Sequence, residues 1–525
     1  MRKKDKKIIK KTMILYTNIV TLKLELVLPG DLNKMHADNK TKNKKLLILG
    51  TASHVGKSAI VTAICRLLAQ NDHKVAPFKA QNMSLNSWIT KDGKEIGIAQ
   101  AIQAKAALVE PSAEMNPVLL KPKGDRQSQV IILGEPYADK SAGEYYDSID
   151  DMNSILEGAL DRLSEEYDII VMEGAGGAAE INLYERDIVN IGTARITNAP
   201  IIIVGDIERG GVFASLYGTL ELLPADVRNN VKGFIINKFR GDPSILEPGL
   251  KLIEDKTGVP VLGVLPYTKL GIPSEDSVSI GDKQLEERDI EIAVIRFPRI
   301  SNFTDFEPLE SVANIRYVEL DDDLGNPDAV ILPGTKNTIS DLCDLQKSRV
   351  YNQIKKFKGK GPIIGICGGY QMMGNKIYDS GIEGGVDGTY EGLGLLDIET
   401  TFERYEKKTV QVEKIVTAHG KIFEPIRGQT VSGYEIHMGN STSDTFVFED
   451  DGCIDDEGLI FGTYLHGLFE NENVRDVLLK HLFKEKGLQY IPNVSGVNSD
   501  PYEDLAQMVA ENVDMEQVYA MLDLS

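Results

Sequence analysis

The chain has 525 residues, with 58 Lys and Arg against 79 Asp and Glu for a formal net charge of -21, and that length exceeds what one hydrophobic core organises. Hydrophobic residues at 42% and charged residues at 26% are ordinary globular values that favour neither a disordered nor a membrane class. The negative balance repels a phosphate backbone and argues against nucleic acid as a partner, while local basic groups and helix N-termini still admit small anions.

The opening MRKKDKKIIKK is basic, and the following TMILYTNIVTLKLELVLPG carries Lys23 and Glu25, which interrupt the apolar run a signal peptide needs. Residues 1–43 are therefore expected to form a loosely ordered basic extension. From Lys44 onward short β-branched runs alternate with helical stretches: KLLILG, KVAPFK, DIIVMEG, PIIIVGD, VKGFIINK and PVLGVLP. This alternation predicts βαβ units on a parallel sheet over 44–275, and the near-continuous apolar character predicts strands covered on both faces. A polar, acidic, turn-rich stretch then predicts a linker, placed at 276–289. A second alternating series, EIAVIRFP, NIRYVEL, DAVILPG and PIIGIC, precedes the more β-rich TVQVEKIV, SGYEIHMG and LIFGTYLHG, so a second α/β domain is expected at 290–485. The remaining 486–525, with apolar spacing near 3.6 in YEDLAQMVAENV, is expected to be mainly helical. Cys65, Cys343, Cys367 and Cys453 form no C-x-x-C pair, which argues against a disulfide framework or thiolate zinc and fits a reducing cytoplasm. The longest apolar runs fall short of the roughly 20 residues that span a bilayer, so no membrane partner is expected.

The first strand runs into GTASHVGKS, residues 50–58, and a helical stretch follows at once. Strand, glycine loop, Lys-Ser and helix are the context of a P-loop, whose backbone N–H groups cradle phosphates. Gly50, Thr51 and Gly56 are the loop candidates, with Lys57 to balance phosphate charge and Ser58 to offer its hydroxyl to Mg²⁺. The spacing is one residue longer than G-x-x-x-x-G-K-[ST], and a glycine turn with an incidental lysine is the plainer alternative. Glu173, at the strand end MEGAGG, is a second candidate magnesium ligand. Asn237, in NKFRGD, has an amide that suits an adenine edge, although Asn at a strand end is often only a turn former.

In GICGGYQ, Cys367 stands on a strand-to-helix turn where neighbouring glycines relieve crowding, the elbow that lifts a nucleophile clear of a sheet. The helix start lowers a thiol's pKa, and Gly368 together with Gly334 of LPGT can supply oxyanion donors. His466 in YLHGLFEN is the candidate base, with His437 and His419 as rivals. A small buried thiol and a satisfied core histidine are the alternative reading.

FKAQNMSLNS, EIGIAQAIQA, MNPVLLKP, MEGAGG, NKFRGD, LPGTKNT, GICGGYQMMG, GYEIHMG and YLHGLFEN occur in order, and across roughly residues 44–520 they closely resemble the cobyric acid synthase family, glutamine-hydrolysing amidases of cobalamin biosynthesis. The resemblance implies a dethiobiotin synthetase-like P-loop amidoligase domain followed by a class I glutamine amidotransferase-like α/β domain, and the longer loop spacing is expected of that branch. It implies Cys367 as the glutaminase nucleophile and His466 as its base. Ordinary class I glutaminases carry Glu two residues after that histidine, where this chain has Leu468; the branch is known to lack it, which leaves open what orients His466. The substrates implied are glutamine, ATP with Mg²⁺, and a corrinoid polycarboxylate, adenosylcobyrinic acid a,c-diamide, amidated at its b, d, e and g side chains through acyl phosphates. Lys79, Gln81 and Asn82 are expected to face the γ-phosphate or the carboxylate, with a polar loop capping a helix as the alternative; His437 is a further substrate-binding candidate. Two rivals remain: amidation of the cobyrinic acid a,c-diamide synthase type, and a P-loop switch ATPase carrying an inactive amidotransferase-like binding module.

Overall fold

The computed structural model describes residues 44–124, 127–141, 149–268, 288–491 and 500–524; the basic extension expected at 1–43 and all but the last two residues of the expected linker lie outside them. Six parallel strands form the first sheet in the order Val261–Pro266, Val231–Phe239, Ile201–Asp206, Lys44–Gly50, Ile169–Glu173 and Val75–Phe78. Leu47, Leu49, Ile170 and Met172 enter one apolar cluster, while Leu46, Ile48, Ile169 and Val171 enter another. Alternate residues thus feed cores on opposite faces, and for this reason the strands read as unbroken apolar runs. Register sets the functional edge: Ile48 lies beside Glu173, Gly50 beside Val204 and Asp206 beside Asn237. The carboxyl ends of four strands therefore finish together, where open parallel sheets hold their ligands.

The second sheet runs Asn314–Glu319, Glu291–Arg296, Ala329–Leu332, Ile363–Ile366, Ile460–Thr463 and Cys453–Ile454, parallel except for its last pair. Leu332 pairs with Gly365 and Ile366 with Thr463, so Gly334, Cys367 and His466 follow directly from neighbouring strand ends. This is the α/β architecture expected, with two mainly parallel sheets.

Two elements were not expected from the sequence. Residues 81–141 build a four-stranded sheet, Gln81–Met83, Val118–Gly124, Gln127–Ile132 and Glu135–Ser141, and a hairpin of Ser87–Ile89 with Glu95–Gly97. The hairpin docks on the second half: Gln411 Nε2 donates to Ile89 O at 2.8 Å, Thr409 Oγ1 to Gly93 O at 2.9 Å, and Tyr434 Oη to Ser87 O at 3.1 Å. Ile89, Tyr434 and Ile436 form a small apolar cluster there, with Trp88 packed against it. The helix Pro501–Asn512 returns to the first half, where Leu505, Val509 and Val513 join Ile60, Ile64 and Leu68 of the helix Lys57–Gln70. Arg66 pairs with Asp500, and Asp514 N donates to Leu262 O at 2.7 Å. Among the described residues no helix is long and apolar enough to cross a membrane.

Candidate active site

The nucleotide loop leaves the strand Lys44–Gly50 and enters the helix Lys57–Gln70 through Gly56, whose φ of 99° lies in the left-handed region. A side chain there would be strained and would also overlap the amide of Asn237. Asn237 Nδ2 donates to Val55 O at 2.9 Å and its Oδ1 accepts from Lys238 N at 2.8 Å, so this residue braces the loop from beneath. Thr51 N donates to Val204 O at 2.9 Å. The buried Lys57 donates to the carbonyls of Ala52 at 3.0 Å and Gly176 at 2.9 Å, which holds its ammonium over the mouth of the loop.

Glu173 is 1% exposed and fully engaged. Its Oε1 accepts from Ser58 Oγ at 2.8 Å and from Lys79 Nζ at 3.1 Å, and its Oε2 from Gln103 Nε2 at 2.6 Å. The polar chain continues from Gln100 Nε2 to Gln103 Oε1 at 3.3 Å and from Asn82 Nδ2 to Gln100 Oε1 at 3.2 Å. Lys79 therefore sits directly in the site and Asn82 is connected through two glutamines, whereas Gln81 is half-buried on its short strand. Sequence reading assigned no role to Gln100 or Gln103, although both stand in the quoted EIGIAQAIQA stretch. Among the described residues no group of three or more His, Cys, Asp or Glu could hold a metal. A hydroxyl and a carboxylate side by side nonetheless match the preference of Mg²⁺ for one or two protein oxygens plus phosphate.

The second centre is the turn at Cys367. Its backbone has φ 51° and ψ -109° at the N-cap of the helix Gly368–Met373, fixed by Cys367 N donating to Thr463 O at 2.9 Å and Gln371 N to Cys367 O at 3.0 Å. A non-glycine residue held there costs on the order of 1–3 kcal/mol and persists because the surroundings over-determine it. Gly369 is required by close approach, since a Cβ would overlap the carbonyl of Leu332. Cys367 lines a cavity together with His437, Gln371 and His466, and Gly334 lies against the His466 ring.

His466 is 1% exposed and lines the same cavity as Cys367, whose thiol donates to Ile436 O at 3.5 Å. Its Nδ1 contacts Asp305 Oδ2 at 2.7 Å, and Gly467 N donates to Asp305 Oδ1 at 3.0 Å. Burial opposes a charge on the ring, yet the Asp305 carboxylate and the Cys367 sulfur outweigh it and push His466 up to about 10. The Tyr434 ring stacks on the imidazole at 5.3 Å. Of the rival histidines, His437 lines the same cavity but stacks on Tyr464 and contacts Gly439 O at 3.1 Å, while His419 is exposed and paired with Glu424 at 3.0 Å. Asp305 is the member that sequence reading missed. It occupies the orienting place on the histidine, and Leu468 is fully buried. A thiol and a base with an orienting carboxylate at one cavity are the set of groups that activates a sulfur nucleophile.

Comparison with known proteins matches both halves of the chain. Residues 46–276 match the CobQ/CobB/MinD/ParA nucleotide binding domain, and residues 291–474 the CobB/CobQ-like glutamine amidotransferase domain. A protein named probable cobyric acid synthase from Methanosarcina barkeri is 69% identical over 485 residues, covering 92% of this chain and 100% of its own. One of the same name from Methanococcoides burtonii is 68% identical, covering 93% and 99%. Among solved structures, PurLQS from Thermotoga maritima aligns with a TM-score of 0.29 and 19% identity over 38% of this chain and 99% of its own, a likeness too weak to bear on the fold. On identity across nearly the whole described length and on both domain matches, the chain belongs to the cobyric acid synthase family and is a glutamine amidotransferase ligase of cobalamin biosynthesis with a nucleotide-binding domain.

Proposed function

We propose that the chain converts adenosylcobyrinic acid a,c-diamide into adenosylcobyric acid by amidating the b, d, e and g carboxylates, one glutamine and one ATP per amide. The observation that carries the mechanism is one cavity lined by both Cys367 and an Asp305-paired His466, in the same compact unit as the nucleotide loop. His466 takes the Cys367 proton, and the sulfur attacks the γ-amide carbon of glutamine. The N–H groups of Gly368 and Gly334 receive the oxyanion. The C–N bond breaks, His466 returns the proton to the departing ammonia, and water releases glutamate from the thioester. At the other centre a substrate carboxylate attacks the γ-phosphate of ATP, ADP leaves, and ammonia displaces phosphate from the acyl phosphate. Phosphoryl transfer asks chiefly for positioning and charge balance. Gly50, Thr51 and Gly56 cradle the phosphates, Lys57 neutralises them, and Lys79 stands where the γ-phosphate and carboxylate meet. Ser58 and Glu173 would hold Mg²⁺, which when bound offsets charge on the phosphate oxygens. Gln81, Asn82 and His437 are assigned to substrate contacts. We place the reaction in the cytoplasm, on the strength of four cysteines without a disulfide among the described residues.

The test is incubation with ATP, Mg²⁺, glutamine and corrinoid acids, followed by mass spectrometry of the products. Four successive amide conversions of the a,c-diamide support the reading; amidation confined to the a and c positions of cobyrinic acid overturns it. In Cys367→Ser, glutamine-driven product disappears while ammonium salts still support amidation. Nucleotide hydrolysis with no glutamate release in wild type would instead favour the switch ATPase.

A further inference from the structure

The cavity at Cys367 is not walled by its own half alone. Lys121 and Gln129, on the strands Val118–Gly124 and Gln127–Ile132 of the nucleotide-binding half, line it together with Lys336, Glu383 and Lys407. Gln129 ties the halves together, accepting from Lys336 Nζ at 2.6 Å and donating to the Tyr405 hydroxyl. Lys121 and Lys407 both converge on Glu95, the first at 2.7 Å. Their side chains are only 5% and 9% exposed, and that of Glu95 1%.

Among the described residues Glu95 is the only carboxylate paired with either lysine. Two ammonium groups thus share one carboxylate against the wall of a pocket. Buried charge in excess is costly unless a counter-ion reaches it. Burial draws the Lys407 pKa down against the opposing pull of Glu95, so an arriving carboxylate reinforces its charged form. Glutamine brings such a group, because its α-carboxylate lies at the far end of the molecule from the amide that must meet the sulfur. Glu383, whose carboxylate accepts from Thr338 N at 2.7 Å, supplies the sign that the α-ammonium needs.

We propose that glutamine is bound across the boundary between the halves: Lys121 and Lys407 receive its α-carboxylate, and Glu95 is the positioning residue that holds both ammonium groups. This deepens the glutaminase reading above and rests on it. Hydrolysis then requires the nucleotide-binding half in place, so nitrogen is released only against the domain that consumes it.

The experiment compares kcat/KM for L-glutamine and for its α-carboxamide analogue, glutaminamide, by ammonia release from the full-length protein. Wild type prefers glutamine by roughly 10- to 100-fold, the range for a hydrogen bond between charged groups. Lys121→Met and Lys407→Met each reduce that preference by about tenfold, through KM for glutamine rather than kcat. Glu95→Gln reduces it too, by loosening both lysines. A purely structural role would slow both substrates alike and leave the ratio as in wild type, which overturns the proposal. Should a lysine variant prove too slow to assay, equilibrium dialysis of glutamine on the Cys367→Ser background, with and without Lys121→Met, reads the same contact: about tenfold weaker binding supports it and equal binding refutes it. Persistent glutamate release by Cys367→Ser removes the glutaminase reading and this inference together, whereas an inactive Cys367→Ser with an unchanged ratio removes this inference alone.

Discussion

Replacing Asp305 by Asn isolates the contact on which the glutaminase centre depends. Asp305 uses both oxygens, Oδ2 toward His466 Nδ1 at 2.7 Å and Oδ1 toward Gly467 N at 3.0 Å. An asparagine keeps the bond to Gly467 N through its oxygen, and its NH₂ then faces Nδ1. Two donors cannot share that line, so the ring moves its proton to Nε2, the nitrogen that must accept from the thiol. Loss of the charge-assisted bond alone corresponds to roughly 10- to 100-fold in rate. Presenting the wrong tautomer raises the total toward about 10⁴-fold, as in protease triads altered in the same way. Glutamate release should therefore fall by about 10³- to 10⁴-fold, and amidation driven by ammonium salts should persist as the measure of a folded protein. The histidine's apparent pKa should also drop from about 10, because the favouring carboxylate is gone. Glutaminase activity within about threefold of wild type at neutral pH would refute the reasoning, since no orienting contact costs so little.

Lys57→Met should abolish ATP-dependent amidation with either nitrogen source, measured as product formed from glutamine and from ammonium. Gly56→Ala should act on the same assay and also lower the thermal midpoint, because φ 99° and the Asn237 amide both reject a side chain. His466 gives a stability signature: its folded pKa of about 10 exceeds the ordinary 6.5, so its contribution is fully present below about 6.5 and fades as pH rises to about 10. The gap in denaturation midpoint between wild type and Asp305→Asn should accordingly narrow from pH 7 to pH 10.5, and a constant gap would contradict the assignment.

What sequence reading could see follows from how parallel sheets work. Apolar runs such as Leu46–Leu49 are unbroken because both faces are covered, and glycine-bounded strand ends mark where side chains reach a common edge. That logic locates Gly50, Glu173, Cys367 and His466 without coordinates. Asp305 escaped it. It lies 161 residues from His466 in the short 3₁₀ helix Phe303–Leu309, too brief to give a periodic signal, and only the fold brings them together. Lys121, Glu95 and Lys407 escaped for a different reason: single charges on strands, or in the loop just before Lys408–Ile415, look like solvent-facing surface, yet all three side chains are buried around one another.

The return of the helix Pro501–Asn512 to the helix Lys57–Gln70 makes the amidotransferase half an insertion within the nucleotide-binding half. During synthesis the apolar face around Ile60, Ile64, Leu68 and Leu262 waits uncovered until Leu505, Val509, Val513, Val518 and Leu522 leave the ribosome. The half translated first is thus the last to complete its core.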